Sequence, residues 1–301
     1  MKIAILSFRS TDRKASVEEI RLKNSAREKG HICRIFRASK FKLVFDKQSP
    51  WILYNGKPFP RYDIIITRPA IIKFVDLYTA LIEQMEMAGM LLFNKYDSIL
   101  KAKNKVKTMQ ILDHYGIPIP KTVVVNRPED IIKAAKFVGN FPLIVKEPVG
   151  SFGAGVTIVE SMRALKSMLL WDKPMYLLQE YVKYSRGKDI RVFVVNGKVI
   201  GSFMRSAQKG EFRSNIELGG RGKPVEISEE EASIALRSVQ ALDLSYGGVD
   251  IMRGKNGPVV LEVNSNPGFK TLEDTTKMDI AGEIIDYAIE VVERQRQPQP
   301  E

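Results

Sequence analysis

The chain has 301 residues, of which 44% are hydrophobic and 27% charged, and it contains a single cysteine. This length provides one large domain or two to three smaller ones, and one cysteine excludes an internal disulfide bond. No apolar run approaches the roughly 20 residues that a membrane-spanning helix needs, so we expect a cytoplasmic protein with no membrane partner. The formal net charge of +12 predicts attraction to polyanions such as nucleic acid, ribosomes, nucleotides or an acidic protein tail. A lysine-rich solvated surface is the alternative interpretation.

Strands and helices alternate along the first hundred residues. The predicted strands span residues 2–7, 32–36, 63–67 and 90–93, with helices near 17–26 and 77–88. This alternation is typical of a parallel sheet covered by helices. No glycine-rich phosphate motif follows the first strand, so we expect no dinucleotide site there. Arg68 follows a strand and is a candidate substrate contact, because ligands bind at such edges of open sheets. A structural surface arginine is an equally good interpretation.

A basic helix is predicted over residues 98–115, with Gly116 at its end and prolines after it. Its lysines, among them Lys105, lie among apolar residues. One interpretation is contact with nucleic acid, and the other is a solvated helix face with one lysine pointing inward.

A second unit begins near residue 121. Predicted strands at 122–125 and 141–146 precede the glycine-rich segment GSFGAG at 150–155 and a further strand at 156–159. Glycines allow backbone N–H groups to approach a phosphate closely, although a plain hairpin loop has the same composition. Lys146 at the end of the preceding strand favours a nucleotide. The segment is not a P-loop, because no Gly-Lys-Ser/Thr follows it.

The next predicted strand, at 176–182, ends in polar residues. Gln179, Glu180 and Tyr181 could hydrogen-bond an adenine edge or a ribose. A hairpin follows, with strands at 189–195 and 199–205 around an Asn-Gly turn. Beyond a polar loop, helices are predicted at 229–242 and 280–292, and residues 294–301 are expected to be disordered.

Residues 247–268 read GGVDIMRGKNGPVVLEVNSNPG and predict a second hairpin. Asp250 lies in its first strand and Glu262 in its second, which ends at Asn264. Because strand side chains alternate between faces, Glu262 and Asn264 point the same way. If Asp250 shares that face, three hard oxygen ligands converge, as magnesium requires. The alternative is a hairpin with solvated acids at its edge.

Taken together, these motifs resemble the ATP-grasp ligases, and specifically the RimK group, which attaches glutamates to the C-terminus of a small-subunit ribosomal protein. The motifs are Lys146, the loop 150–155, QEYV at 179–182, DIRVFVV at 189–195, FRSN at 212–215, and the hairpin 247–268. The resemblance covers essentially the whole chain. It implies an α/β fold class, α+β in the ATP-grasp part. The implied divisions are an N-terminal parallel α/β domain at 1–97, a central lid subdomain with its connecting helix at 98–187, a C-terminal subdomain with the magnesium site at 188–293, and the tail.

The resemblance also implies roles for individual residues. ATP would be held by Lys105, Lys146, Ser151, Gly153, Gly155, Gln179, Glu180, Tyr181, Val182, Asp189, Arg213, Ser214 and Asn215. Two magnesium or manganese ions would bind Asp250, Glu262 and Asn264. Arg205 would stabilise the phosphoryl transition state, and Arg213 and Asn215 would act on the acceptor side. Asn104 and Ser206 depart from the residues common in relatives, which puts the amino-acid or acceptor preference in doubt.

The function implied by the resemblance is that of an ATP-dependent ligase. It would add L-glutamate to a ribosomal small-subunit protein, or to another glutamate-ended acceptor, through an acylphosphate. Relatives that act on a pterin or deazaflavin coenzyme or on an amino-group-carrier protein provide the first alternative, and a non-catalytic ATP-binding module provides the second. No direct nucleic-acid binding is expected, because no stacking-aromatic module occurs. A homo-oligomer, dimer or tetramer, is implied by the resemblance alone.

Overall fold

The computed structural model describes residues 1–10, 13–46, 50–70, 75–139, 141–150, 155–168, 175–185, 187–208, 210–215 and 219–297. Within these ranges, no helix combines the length and the apolar character that crossing a membrane requires.

A parallel four-stranded sheet forms the N-terminal part, in the order β2-β1-β6-β7. Its elements are β1 (Lys2–Ser7), α1 (Val17–Glu28), β2 (Ile32–Arg37), β3 (Phe41–Phe45), β4 (Pro50–Tyr54), β5 (Lys57–Pro58), β6 (Ile64–Arg68), α2 (Val75–Met87) and β7 (Leu92–Phe93). Strands β1 and β6 are continuous apolar runs because helices cover both of their faces. Helix α1 begins with a capping box between Ser16 and Glu19. The predicted parallel α/β architecture is confirmed.

Strands β3, β4 and β5 form a separate antiparallel sheet that the sequence analysis did not predict. Aromatic rings hold this sheet to the main one: Phe36 of β2 lies 5.0 Å from both Tyr54 and Phe59, measured between ring centroids. Edge-to-face pairs of this kind stabilise a small sheet that has few strands of its own.

The single basic helix predicted over 98–115 is wrong. The chain forms α3 (Tyr96–Lys103) and α4 (Lys105–His114), with extended backbone at Asn104 between them. The Asn104 side chain accepts hydrogen bonds from the backbone N–H groups of Val106 and Lys107, which makes it the N-cap of α4. The backbone N–H of Lys105 donates to the carbonyl of Pro148 in the central subdomain. The break therefore positions Lys105 at a helix start beside that subdomain.

The central subdomain is a four-stranded antiparallel sheet in the order β10-β9-β11-β8. Its elements are β8 (Thr122–Val125), α5 (Ile131–Val138), β9 (Leu143–Lys146), β10 (Val156–Val159), α6 (Met162–Met168) and β11 (Tyr176–Glu180). Helix α5 ends at Gly139, whose φ of 110° provides the left-handed cap. Strand β11 ends at Glu180, two residues earlier than predicted.

The C-terminal part is a five-stranded antiparallel sheet in the order β14-β13-β12-β15-β16. Its elements are β12 (Lys188–Val195), β13 (Lys198–Ser206), β14 (Arg221–Pro224), α7 (Glu229–Ala241), β15 (Tyr246–Gly254), β16 (Gly257–Asn264), α8 (Lys270–Thr276) and α9 (Ile280–Arg296). Strand β14 and helix α8 were not predicted. Helix α9 continues to Arg296, so the first three residues of the predicted disordered tail are helical. Residues 298–301 lie outside the described residues.

The N-terminal and C-terminal parts share one hydrophobic core. Phe93 of β7 stacks on Tyr246 of β15, and α9 buries Ile284 against residues of both sheets. The buried Asn94 side chain donates to the carbonyls of Tyr246 and Ser265 and accepts from the backbone N–H of Ser245. The central subdomain has a separate core of its own strands and helices. The central subdomain and the C-terminal sheet are therefore two separately packed units, and a cleft lies between them.

Candidate active site

A cleft that is partly open to solvent separates the central sheet from the C-terminal sheet, and its empty space, counted with the open solvent at its mouth, is about 830 Å³. The lining residues come from the start of α4, from β9 and the segment after it, from β10, from β11 and the segment after it, from β12, β13, β15 and β16, and from the polar loop near 212–215. They are Lys105, Ile144, Lys146, Gly150, Val156, Gln179, Glu180, Tyr181, Val182, Asp189, Arg205, Phe212, Arg213, Ser214, Asn215, Asp250, Met252, Leu261 and Glu262.

The cleft has an apolar floor and an apolar roof. Ile144 and Val156 belong to the central sheet, whereas Met252 and Leu261 belong to the C-terminal sheet. A flat aromatic base between such walls would bury both faces, which is favourable for an adenine. At the edge, the Gln179 amide donates to Thr122 at 2.8 Å, while the Glu180 side chain is exposed and accepts from the backbone N–H of Lys121.

Two lysines point into the same cleft. Burial lowers the pKa of Lys146 to about 8, and the neighbouring Lys105 lowers it further, while Glu262 and Asp250 act in the opposite direction. Burial also lowers the pKa of Lys105, whose ammonium donates to the carbonyl of Gly150 at 3.0 Å. Two crowded, partly desolvated cations form a strong site for an anion such as a polyphosphate.

A ladder of charged side chains crosses the C-terminal sheet. Arg205 of β13 is in register with Asp189 of β12, and Arg191 of β12 is in register with Asp250 of β15. Asp250 is in turn opposite Glu262 of β16. These side chains lie on one face because register partners in neighbouring strands project the same way. The sheet therefore brings two arginines and three carboxylates together.

The ladder is held by short charged hydrogen bonds. Arg205 contacts Asp189 through two bonds of 2.7 and 2.6 Å and contacts Asp250 at 2.6 Å. Arg191 makes two further bonds of 2.6 Å to Asp250. Burial raises the pKa of the Asp250 carboxyl, but Arg191 and Arg205 outweigh burial and hold that pKa below its ordinary value. Burial lowers the pKa of Arg205, and Asp250 and Asp189 reverse this effect and raise it. Asp250 and Arg205 therefore stay ionised.

The carboxylate of Glu262 is much freer than that of Asp250. Its side chain is 38% exposed, and its nearest cation is Arg191 at 3.9 Å. The Asn264 amide nitrogen donates to Glu262 at 3.0 Å, which turns the Asn264 carbonyl oxygen away from that contact. No group of three or more His, Cys, Asp or Glu side chains suited to a metal occurs among the described residues. The donors Asp250, Glu262 and Asn264 are all hard oxygens, and they fit magnesium or manganese.

The polar loop contributes Phe212, Arg213, Ser214 and Asn215 to the lining of the cleft. Arg213 donates to Glu211 at 2.8 and 3.1 Å and lies 5.6 Å from the centre of the Phe212 ring. These hydrogen bonds lower the pKa of Glu211 to about 2 and raise the pKa of Arg213. Ser214 is buried in the same loop. Arg213 and Asn215 line the cleft.

The structure brings most of the predicted site residues together. Ser151 and Gly153 lie outside the described residues. Gly155 is described but does not line the cleft. Asn264 lines an adjoining pocket that shares Lys105, Gly150, Leu261 and Glu262 with the cleft.

Arg191 and Lys103, which lines the adjoining pocket, were missed as site residues. The spacing of Asp189 and Arg191 carries a signal for the first, because two residues apart in a strand share a face.

Comparisons with known proteins agree with this geometry. A family model described as the RimK PreATP-grasp domain matches residues 1–99, and one described as the RimK-like ATP-grasp domain matches residues 102–288. A protein of Coxiella burnetii (strain RSA 493 / Nine Mile phase I) named "Probable alpha-L-glutamate ligase" is 39% identical over 95% of both chains. A protein of the same name from Methanococcoides burtonii is 38% identical over 95% of both.

Among solved structures, the ATP-grasp ligase PsnB complexed with minimal precursor, Mg and ADP has a similar fold. Its TM-score is 0.72 at 21% identity, over 97% of this chain and 98% of that chain. The chain belongs to the RimK-like ATP-grasp family, and it is a ligase of the ATP-grasp type.

Proposed function

We propose that this protein is an ADP-forming ligase that joins L-glutamate to a carboxylate-ended acceptor. The observation that carries the proposal is the meeting of two cations, Lys105 and Lys146, with the oxygen donors Asp250 and Glu262 in one cleft. This combination provides charge for a polyphosphate and ligands for its metal ions. The relatives named as alpha-L-glutamate ligases, at 39% and 38% identity, support the choice of glutamate.

The roles follow from position. Ile144, Val156, Met252 and Leu261 enclose the adenine, Glu180 and Tyr181 bind its edge, and Asp189 faces the ribose. Lys105 and Lys146 bind the phosphates. Bound magnesium or manganese, as two ions on Asp250, Glu262 and Asn264, supplies further neutralising charge. Each group acts by positioning and electrostatics, which is how enzymes of phosphoryl transfer work.

The reaction has two steps. The acceptor carboxylate attacks the γ-phosphorus of ATP, so a C–O–P link forms, the bond to the β-phosphate oxygen breaks, and ADP leaves. The amine of glutamate then attacks the acyl carbon, phosphate departs, and the amine nitrogen loses a proton. Arg205, at the β13 end of the ladder, stabilises the transferring phosphoryl group, and Arg213 and Asn215 line the acceptor side.

The acceptor we propose is the C-terminus of a ribosomal small-subunit protein, or another glutamate-ended chain, met in the cytoplasm. The net charge of +12 supports an acidic acceptor that grows more acidic with each addition. A pterin or deazaflavin coenzyme, or an amino-group-carrier protein, is the alternative acceptor. PsnB, which is 21% identical, has also been solved in complex with a precursor peptide, and this likeness favours a peptide acceptor. A homo-oligomer, dimer or tetramer, is part of the proposal, and direct nucleic-acid binding is not.

The test is ADP release by the purified protein with magnesium and ATP, scanned over the twenty amino acids with and without a peptide that ends in glutamate. Strict dependence on glutamate, with the peptide gaining mass in glutamyl steps, is the expected result. Turnover only with a coenzyme or carrier-protein acceptor would move the proposal to that acceptor. ATP binding without turnover on any acceptor would contradict it in favour of a non-catalytic ATP-binding module.

A further inference from the structure

Arg68 is a buried cation without a carboxylate partner among the described residues. Only 5% of the residue is exposed. Its guanidinium donates to the carbonyl of Pro267 at 3.2 Å, lies 5.6 Å from the centre of the Phe269 ring, and reaches the Tyr246 hydroxyl. All of these partners are neutral. A buried charge normally has an opposite charge beside it, because desolvation is otherwise too costly.

The other arginine that is buried among the described residues follows that rule. Arg205 is 3% exposed and contacts two carboxylates. Arg37 provides a closer comparison, because Arg37 and Arg68 flank Ser7 in register at the carboxyl ends of three adjacent strands. Arg37 has Glu19 at 3.8 Å. Arg68 lies on the opposite neighbour of the Ser7 strand, and it has no such anion within the described part of the chain.

Further polar atoms around Arg68 are buried and unsatisfied. The hydroxyl of Ser265 and the side-chain oxygen of Asn266 have no hydrogen-bond partner among the described residues, and they directly precede Pro267, which contacts Arg68. The Nε atom of Arg9, two residues beyond Ser7 at the same edge of the sheet, is also buried without a partner in the described part of the chain. Buried polar groups are nearly always satisfied, so a set of orphans at one place indicates a missing ligand.

This place adjoins the phosphate end of the cleft. Ser265 lines the pocket that also contains Lys103, Glu262 and Asn264. Burial lowers the pKa of Lys103 to about 8, and Lys105 and Arg68 lower it further, whereas Glu262 opposes them. Cations therefore outnumber carboxylates between the sheet edge and the metal-ligand residues, and an anion bound there would relieve their repulsion.

We propose that Arg68 forms a carboxylate-binding subsite together with Arg9 and the turn at residues 265–266. The subsite holds a carboxylate group that belongs to a reactant but is not the group that ATP activates. The inference rests on the proposed function for the identity of that reactant. Both reactants carry such a group: free glutamate has two carboxylates and reacts through its amine, and a glutamate-ended acceptor keeps one carboxylate while the other is activated. A planar guanidinium suits this ligand because it can donate two parallel hydrogen bonds to a carboxylate.

The test measures binding directly, on the full chain with magnesium and ADP present. The probes are L-glutamate, L-glutamine, which keeps the α-carboxylate and lacks the side-chain carboxylate, and a peptide ending in glutamate. The variants are Arg68→Gln and Arg68→Lys, with Arg61→Gln as matched control, because Arg61 is an exposed arginine that precedes the same strand at the opposite edge of the sheet. We expect Arg68→Gln to weaken binding of glutamate or of the peptide roughly tenfold to a hundredfold, Arg68→Lys to weaken it less, and Arg61→Gln to leave it unchanged.

The probe that Arg68→Gln binds more weakly than wild type identifies which reactant occupies the subsite. Equal affinity of wild type and a folded Arg68→Gln for all three probes, with ADP binding intact, would overturn the inference. If Arg68→Gln does not fold, Arg68→Lys decides in the same way. If glutamate binding depends on Arg68 but no ADP is released, the proposed function is rejected and this inference stands. If Arg68→Gln turns over normally with unchanged KM values, this inference is rejected and the proposed function stands.

Discussion

Asp250 and Glu262 are directly opposite each other on β15 and β16, yet the protein holds the two carboxylates very differently. The Asp250 side chain is 2% exposed and bonds to two arginines, whereas the Glu262 side chain is 38% exposed and has one cation at 3.9 Å. Asp250 therefore stabilises the sheet as well as facing the cleft. Glu262 is the carboxylate that can bind a metal ion without giving up a strong partner.

This difference predicts that two isosteric substitutions separate stability from metal binding. Asp250→Asn leaves Arg191 and Arg205 in excess in a buried place and should lower the free energy of unfolding by about 3–5 kcal/mol. Glu262→Gln should change it by no more than about 0.5 kcal/mol and still abolish magnesium-dependent ADP release. Urea unfolding and turnover at increasing magnesium measure the two effects. Equal stability of the two variants would show that the ladder does not hold Asp250 as described.

The pairing of Asp250 with Glu262 could be predicted from the sequence. Two apolar runs around a Gly-Lys-Asn-Gly-Pro turn specify a hairpin, and strand periodicity specifies which side chains share a face. The role of Arg191 could not be predicted in this way, because it depends on β12 lying next to β15 and on a contact between residues 59 positions apart in the sequence. The break between α3 and α4 at Asn104 could not be predicted from the sequence either. It leaves the apolar spacing of the basic segment intact, and it is stabilised by a contact with Pro148 in another subdomain.

The depressed pKa of Lys146 predicts proton uptake when nucleotide binds. With a pKa of about 8 in the free protein, Lys146 is largely neutral at pH 8.5, and a bound phosphate raises that pKa toward or above its ordinary value. Calorimetric titration with ADP and magnesium at pH 8.5, in two buffers of different ionisation enthalpy, should show net uptake of protons. Arginine keeps the positive charge and does not titrate at this pH, so the Lys146→Arg variant should take up fewer protons than wild type when ADP binds. An identical proton count in the two proteins would contradict this assignment.

Lys103 predicts a pH-dependent stability difference. Its pKa is about 8 in the folded protein and about 10.4 in an unfolded chain, so between these values the unfolded state binds more protons and stability rises with pH. Lys103→Met removes a cation whose burial is unfavourable. The variant should be more stable than wild type at pH 7, and its advantage should shrink as the pH rises from about 8 to 10. Urea unfolding at a series of pH values measures this, and an advantage independent of pH would count against it.

The shared core predicts that the N-terminal and C-terminal parts unfold together, and Asn94 tests this. Its buried side chain satisfies backbone groups of Ser245, Tyr246 and Ser265. Asn94→Ala leaves them unpaired and should lower the free energy of unfolding by at least about 3 kcal/mol. The exposed Asn126 of the central subdomain is the matched control, and Asn126→Ala should change stability by less than about 0.5 kcal/mol. Followed by circular dichroism, Asn94→Ala should shift the main transition as one cooperative step. A separate early transition of the N-terminal part would show that the two parts are independent.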